Sequence, residues 1–249
     1  MRVSDPAHRP ALKGGLLALL AAALFGISTP LVQQFGAGLG AFSTAALLYA
    51  GAAAVGLLSR QRIEREARLQ RSDLPRLLAM AGFGAVVGPV ALAWGLQNTS
   101  GTSASLMLTL EALFTAVLAW RLYRETMDGR VWAAMALLLA GGIVLVLDQG
   151  RAGGAQLWGL LAVLLATAAW GVDNTLSRAL AERDPGQVVM AKALLGATAT
   201  SLLAVAFGEP LPAAGAALAL FAVGATGYGL SLRFYLLAQR AFGAARTGS

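Results

Sequence analysis

Eight long apolar segments, separated by short links that contain turn or charged residues, dominate the pattern of this chain. Each is long enough for a membrane-spanning helix, since about 20 apolar residues at 1.5 Å per residue cross a hydrocarbon core of about 30 Å. The pattern predicts spans at residues 14–35, 38–58, 75–97, 102–122, 131–148, 157–180, 187–207 and 214–236. We therefore expect an all-α integral membrane protein with eight complete spans in this chain.

The composition agrees with a membrane protein and narrows the chemistry. Of the 249 residues, 57% are hydrophobic and 12% are charged, against about 25% charged in a typical soluble domain. The absence of cysteine excludes disulfides and thiolate chemistry. The chain also lacks a phosphate-binding G-x-x-x-x-G-K-[ST] loop and an H-E-x-x-H motif. We therefore predict neither a cofactor nor a metal, and we do not expect an enzyme.

Lysine and arginine lie almost wholly in alternate links between the predicted spans. The N-terminal segment holds three and residues 59–76 hold six, and the links after the fourth, sixth and eighth spans hold two or three each. The intervening links carry only Arg151. Because cytoplasmic loops are enriched in Lys and Arg, this alternation predicts a cytoplasmic N-terminus. Topology accounts for the net charge of +7, and no nucleic-acid partner is predicted.

An internal repeat relates the two halves of the chain. Residues 14–32 and 159–177 are identical at eight of 19 positions, at an offset of 145. A weaker match sets Gln97–Gly101 against Gln239–Gly243. The repeat unit would hold five spans, and an odd number inserts the second copy in the opposite orientation, as in many transporters.

The repeat predicts how the chain is divided. Residues 1–148 would form the first five-helix repeat, and residues 149–249 would form the second, inverted repeat, interrupted after its third helix. In this alignment of the two repeats, the second repeat lacks the helices that would correspond to the fourth and fifth spans. We therefore expect a native protein of ten helices, of which this sequence is a truncated form.

Glu111 lies near the middle of the fourth predicted span, with Met107 one helical turn before it. A carboxylate at that depth costs about 2.5 to 3.5 kcal/mol on insertion scales, so it usually faces a protein interior or a water-filled path. Its functional roles would be a contact to a substrate amine or the carriage of a proton. The alternative is a structural carboxylate that is hydrogen-bonded to a neighbouring helix.

Further polar residues interrupt the first, sixth and seventh predicted spans. Ser28 and Thr29 lie in the first span, and Asp173 and Asn174 lie in the equivalent stretch of the sixth. Lys192 lies at a comparable depth in the seventh span, where it has the alternatives of pairing with Asp173 or of reaching the membrane surface. Symmetry-related polar breaks near the midplane are typical of transporter binding sites.

Aromatic residues and prolines complete the set of candidates. Trp94, Trp170 and Tyr228 are candidates for lining a substrate path, with an interfacial belt as the alternative for Trp94. Pro30 and Pro89 lie inside predicted spans, where each removes a backbone hydrogen bond. Neighbouring groups or water must then satisfy the freed carbonyls. Each proline is therefore a candidate for a gating kink, and a simple packing kink is the alternative.

The segment Leu108–Glu125 resembles the fourth-helix motif of the EamA branch of the drug/metabolite transporter superfamily. That motif reads roughly L-x-x-L-E-P-V-x-A-x-L-L-A-x-L-x-x-x-E, and Glu111 and Glu125 fall on its acidic positions. Ala112 stands where the family usually has proline.

Other segments extend the resemblance over nearly the whole chain. Val131–Leu147 resembles the fifth helix of the family, Trp158–Leu180 the sixth, and Tyr235–Gly248 the end of the eighth helix with the loop that follows. The resemblance implies a carrier of ten helices in an inverted repeat, with both termini in the cytoplasm. In that family the position of Glu111 recurs across different substrates, which argues for a general structural or gating role.

The function that follows is secondary transport of small metabolites by alternating access, and in this family often the export of amino acids or related metabolites. The expected partners are a small-molecule substrate and membrane lipids, and proton coupling and the oligomeric state stay open. One alternative is a non-transporting membrane scaffold or permease subunit, which a truncation to eight helices would favour. A membrane enzyme is the other alternative, and it would have to use Glu111 or Asp173.

Overall fold

The computed structural model describes residues 8–59, 67–152 and 154–242, which are mostly α-helical. The α-helices are α1 (His8–Phe35), α2 (Ala41–Leu58), α3 (Leu74–Met80), α4 (Gly88–Asn98), α5 (Gly101–Leu108), α6 (Glu111–Tyr123), α7 (Gly129–Ala152), α8 (Gly154–Ser177), α9 (Pro185–Ala206), α10 (Ala214–Val223) and α11 (Ser231–Phe242). Two π-helical segments, Ala81–Val87 and Gly224–Leu230, join α3 to α4 and α10 to α11.

Within the described ranges, eight helical segments are long and apolar enough to cross a membrane, which confirms the predicted number. Spans 1 to 8 are Gly14–Phe35, Ala41–Leu58, Arg71–Asn98, Gly101–Tyr123, Gly129–Asp148, Gly154–Leu180, Pro185–Ala206 and Ala214–Arg240. Span 2 begins three residues later than predicted. Gly38 accounts for the delay, because its φ of 76° is left-handed and cannot belong to the helix.

Apolar side chains cover the outside of the bundle, while many polar side chains lie inside. Leu58, Val205 and Leu211 are 86%, 81% and 96% exposed, whereas Thr175 and Ser177 are fully buried. Several buried hydroxyls donate to helix carbonyls, as Thr175 Oγ1 does to Gly171 O at 2.7 Å. This distribution suits a lipid environment, where polar groups must be satisfied internally.

The spans pack in a pattern that is symmetric under exchange of spans 1, 2 and 3 with spans 6, 7 and 8. Span 1 packs along span 8, span 6 packs along span 3, and span 2 packs along span 7. The two π-helical segments obey the same exchange. Both contain seven residues, and they begin at Ala81 and Gly224. Sequence periodicity did not predict either of them, because the extra residue of a π turn leaves the apolar pattern of a buried span unchanged.

Span 4 is broken where α5 ends and α6 begins. The N–H groups of Thr109 and Leu110 each bond to a carbonyl three residues earlier, at 3.2 and 3.1 Å, so the last turn of α5 is tightened. The break occurs although Ala112 replaces the proline of the family motif. It makes Glu111 the first residue of α6, where a carboxylate interacts favourably with the helix dipole.

Candidate functional site

A cavity of about 520 Å³ lies between the spans, and it is the candidate site. Small residues of α1 form one wall, including Ala18, Ala22 and Gly26. The break in span 4 forms another wall. The polar and aromatic lining comprises Phe25, Thr29, Tyr49, Ser105, Thr109, Glu111, Trp170, Asp173, Asn174, Lys192, Tyr228, Ser231 and Tyr235.

Glu111 reaches the cavity from the first turn of α6 and is held by span 6. The side-chain amide of Asn174 donates a hydrogen bond to Glu111 Oε1. No other side chain among the described residues bonds to Glu111, so its second oxygen is left for the cavity. This contact is the interhelical hydrogen bond that the structural interpretation of Glu111 requires. It also leaves the carboxylate accessible to a ligand.

Asn174 is itself fixed by span 8. Gln239 Nε2 donates to the backbone carbonyl of Asn174 at 2.9 Å, and Gln239 is 2% exposed. Ser177 Oγ lies 2.9 Å from Gln239 Oε1 and 2.8 Å from the same carbonyl. Spans 4, 6 and 8 are thus joined by hydrogen bonds that run from Gln239 through Asn174 to Glu111.

Asp173 and Lys192 form a buried ion pair between spans 6 and 7. Lys192 Nζ donates to Asp173 Oδ2, and the two side chains are 2% and 4% exposed respectively. Of the two alternatives that the sequence left open for Lys192, the structure shows the ion pair with Asp173, and Lys192 does not extend to the membrane surface. Loss of one member would leave an uncompensated buried charge, which typically costs about 3 to 5 kcal/mol.

Pro89 creates a free carbonyl beside this ion pair. In the π-helical segment each carbonyl bonds to the N–H five residues later, as Gly88 N does to Phe83 O. Gly84 O would need the N–H of residue 89, which proline lacks. Tyr49 Oη and Trp170 Nε1 donate to Gly84 O instead, the latter at 3.0 Å. The freed carbonyl is therefore satisfied by neighbours, as expected for a proline in a span.

Four aromatic rings form a contiguous cluster at the cavity. The Phe25 ring lies edge-on to those of Trp170 and Tyr228, with centroid distances of 5.1 and 5.8 Å. The Tyr49 and Tyr228 centroids are 5.7 Å apart. Such edge-to-face contacts fix the ring orientations. They give the cavity a rigid wall that draws on spans 1, 2, 6 and 8.

The structure brings most of the sequence-predicted residues together. Of the substrate-path candidates, six line the cavity: Thr29, Glu111, Trp170, Asp173, Asn174 and Tyr228. Ser28 is buried just outside the lining, with its hydroxyl donating to Phe25 O at 2.6 Å. Met107 belongs to the hydrophobic core, and Trp94 is 45% exposed on the outside, which fits a belt residue. Pro30 lies within the unbroken α1.

Sequence reasoning missed two tyrosines of the site, Tyr49 and Tyr235. The available signal for Tyr49 was its position in the middle of span 2, away from the interfaces where tyrosine usually occurs. Tyr235 lies at the end of the eighth predicted span and gave no such signal. Glu125, the second acidic residue of the family motif, lies outside the cavity. It forms a salt bridge with Arg178, with 3.1 Å between Oε1 and Nε.

Comparison with known proteins agrees with this architecture. Residues 12–147, more than half of the chain, match the model of the EamA-like transporter family. An uncharacterised transporter from Methanothermobacter thermautotrophicus is 29% identical over 123 residues, and the match covers 48% of this chain but only 36% of that protein. A solved crystal structure shares the fold with a TM-score of 0.69 at 21% identity, covering 94% of this chain and 82% of the other. The chain therefore belongs to the EamA-like transporter family and is a multi-pass membrane protein.

Proposed function

We propose that the protein is a secondary transporter that moves small metabolites across the inner membrane by alternating access. The observation that carries this proposal is the cavity of about 520 Å³, which holds Glu111, Asp173 and Lys192 between the spans. Its volume lies in the range of small-molecule sites. Ionisable groups at membrane depth are costly and usually mark a substrate or ion path.

Amino acids or related metabolites are the proposed substrate class, with export as the direction. The open oxygen of Glu111 offers a partner for the amino group of such molecules, and the aromatic rings of the cavity offer partners for their apolar parts. Glu111 is the proposed site of proton coupling, because Asn174 leaves one of its carboxylate oxygens free. Membership of the EamA-like transporter family supports transport as the general activity.

The proposed organisation is an inverted repeat with a first unit at residues 1–148 and a second at residues 149–249. The exchange symmetry of the packing and the paired π-helical segments support it. Alternating access would then move one repeat against the other around the cavity. The alternation of Lys and Arg along the sequence supports a cytoplasmic N-terminus.

Uptake into proteoliposomes tests the proposed activity. Labelled amino acids, nucleosides and sugar phosphates would be offered with and without a pH gradient. We expect saturable uptake of amino acids, and we expect Glu111→Gln to abolish its dependence on the gradient. Glu182→Gln is the matched control, since Glu182 is an exposed carboxylate outside the cavity. Absence of uptake by folded protein would refute the proposal and would favour the scaffold alternative.

A further inference from the structure

We propose that the cavity recognises a protonated amine, so that the ammonium group, rather than a carboxylate, is the required feature of the substrate. This inference rests on the proposed function, because it names the chemical group that the transport site selects. Three independent properties of the cavity lead to it. They are its charge, its unpartnered hydrogen-bond acceptors and its aromatic wall.

The charge of the lining is the first property. Among the described residues that line the cavity, the ionisable acids and bases are Glu111, Asp173 and Lys192. Lys192 compensates Asp173 through their direct ion pair. When all three are ionised, the carboxylate of Glu111 has no counter-charge in the lining. A bound cation would supply one, and membrane charges are stabilised by such pairing.

Unpartnered acceptors are the second property. Asp173 is 3% exposed, yet its Oδ1 has no hydrogen-bond partner among the described residues, because Lys192 bonds to Oδ2 alone. The second oxygen of Glu111 also lacks a protein donor. A buried acceptor without a donor is costly, so Asp173 Oδ1 favours a ligand that donates hydrogen bonds, and the open oxygen of Glu111 can accept from the same ligand. An ammonium group carries three N–H donors and no acceptor.

The aromatic wall is the third property. The rings of Phe25, Tyr49, Trp170 and Tyr228 contact one another and line the same cavity. An aromatic face attracts a cation through its quadrupole, and the attraction increases when water is excluded. A ring face that borders the cavity would therefore stabilise a cationic head group without the cost of another buried charge.

A carboxylate finds no free cation in the described lining, although the hydroxyls of Tyr228 and Tyr235 have no hydrogen-bond partner among the described residues and could donate to it. Lys192 is the one lysine or arginine in the described lining, and its ammonium group is already bonded to Asp173. A ligand carboxylate would therefore meet net negative charge and would have to break the ion pair to reach a cation.

Binding of matched ligands to the purified protein in detergent tests the inference. One set is 2-phenylethylamine and 3-phenylpropionate, and an aliphatic set is isoamylamine and 4-methylpentanoate. We expect an amine to bind in at least one set, and its matching carboxylate to bind at least about tenfold more weakly, as for the loss of a charge-assisted hydrogen bond. Binding of the carboxylate equal to that of the amine would overturn the inference. So would the absence of binding by both amines.

A variant assigns the effect to the cavity. Glu111→Gln should weaken amine binding by about tenfold or more, while Glu182→Gln should leave it unchanged. Unchanged amine binding in folded Glu111→Gln protein would overturn the inference, and the ligand comparison with the unaltered protein holds even if this variant does not fold. Binding needs no transport, so the two proposals fail separately. Amine binding without uptake would refute only the transporter, whereas uptake of acids but not amines would refute only the amine site.

Discussion

The carbonyl of Gly84 offers a sharp test of how the site is built. Because Pro89 has no N–H, this carbonyl depends on Tyr49 Oη and Trp170 Nε1. Each of Tyr49→Phe and Trp170→Phe removes one donor and leaves the other. The lost hydrogen bond should cost about 0.5 to 1.5 kcal/mol of unfolding free energy, and the smaller ring at position 170 adds a packing loss.

The double variant should cost more than the sum of the single variants. It leaves a buried carbonyl with no donor, and the penalty for such a group is about 1 to 3 kcal/mol. We therefore expect a coupling energy of about 1 kcal/mol or more. Adding Pro89→Ala should recover much of the loss, because it restores an N–H five residues after Gly84.

Denaturant titration in detergent micelles, followed by far-UV circular dichroism, would measure these free energies without relying on tryptophan fluorescence. Trp158→Phe is the control for ring replacement, since Trp158 is 64% exposed. Additive single effects, or a double variant that Pro89→Ala does not rescue, would refute the assignment of both donors to this carbonyl. Water from the cavity would then be the donor that replaces them.

Three further predictions concern other contacts, each measured by the same titration. Gly84→Ala should destabilise the protein because its methyl group would collide with the Asp173 carboxylate, whereas Gly82→Ala, in open space within the same π-helical segment, should be neutral or slightly stabilising. Lys192→Met should cost about 3 to 5 kcal/mol, and adding Asp173→Asn should recover most of it; no recovery would contradict the isolated ion pair. Glu209→Ala should cost about 0.5 to 2 kcal/mol, because its carboxylate accepts from two N–H groups at the start of α2, at 3.1 and 2.7 Å. An unchanged midpoint for Glu209→Ala would show that this cap contributes nothing.

The candidate site could be predicted in part, because some of its residues are conspicuous within a hydrophobic span. Glu111, Asp173 and Asn174 are polar groups at membrane depth, and such groups need a partner or a cavity. Trp170 and Tyr228 were candidates on a different ground, as aromatic residues inside spans that could line a substrate path. By contrast, Met107 lies one helical turn from Glu111 and belongs to the hydrophobic core, and the backbone between them is tightened at Thr109 and Leu110.

Other features could not be predicted, because they depend on contacts between distant parts of the chain. The π-helical segment at Ala81–Val87 leaves the carbonyl of Gly84 free for Tyr49 and Trp170, which lie 35 and 86 residues away. A periodic pattern within one span carries no information about such partners. Tyr49 was missed for this reason, although a mid-span tyrosine is a usable signal.

The sequence by itself determined the class of the protein and the number of its spans, because the length of an apolar segment follows directly from the thickness of a membrane. It also placed the Glu111 carboxylate near the middle of a span, where such a group needs a partner or a cavity. In addition, it suggested an ion pair between Asp173 and Lys192. Only the tertiary structure decided which oxygen of each carboxylate is occupied, which rings share a wall, and where the helices depart from α geometry. Those outcomes depend on the packing of spans against one another, where small residues and satisfied polar groups, rather than hydropathy, select the arrangement.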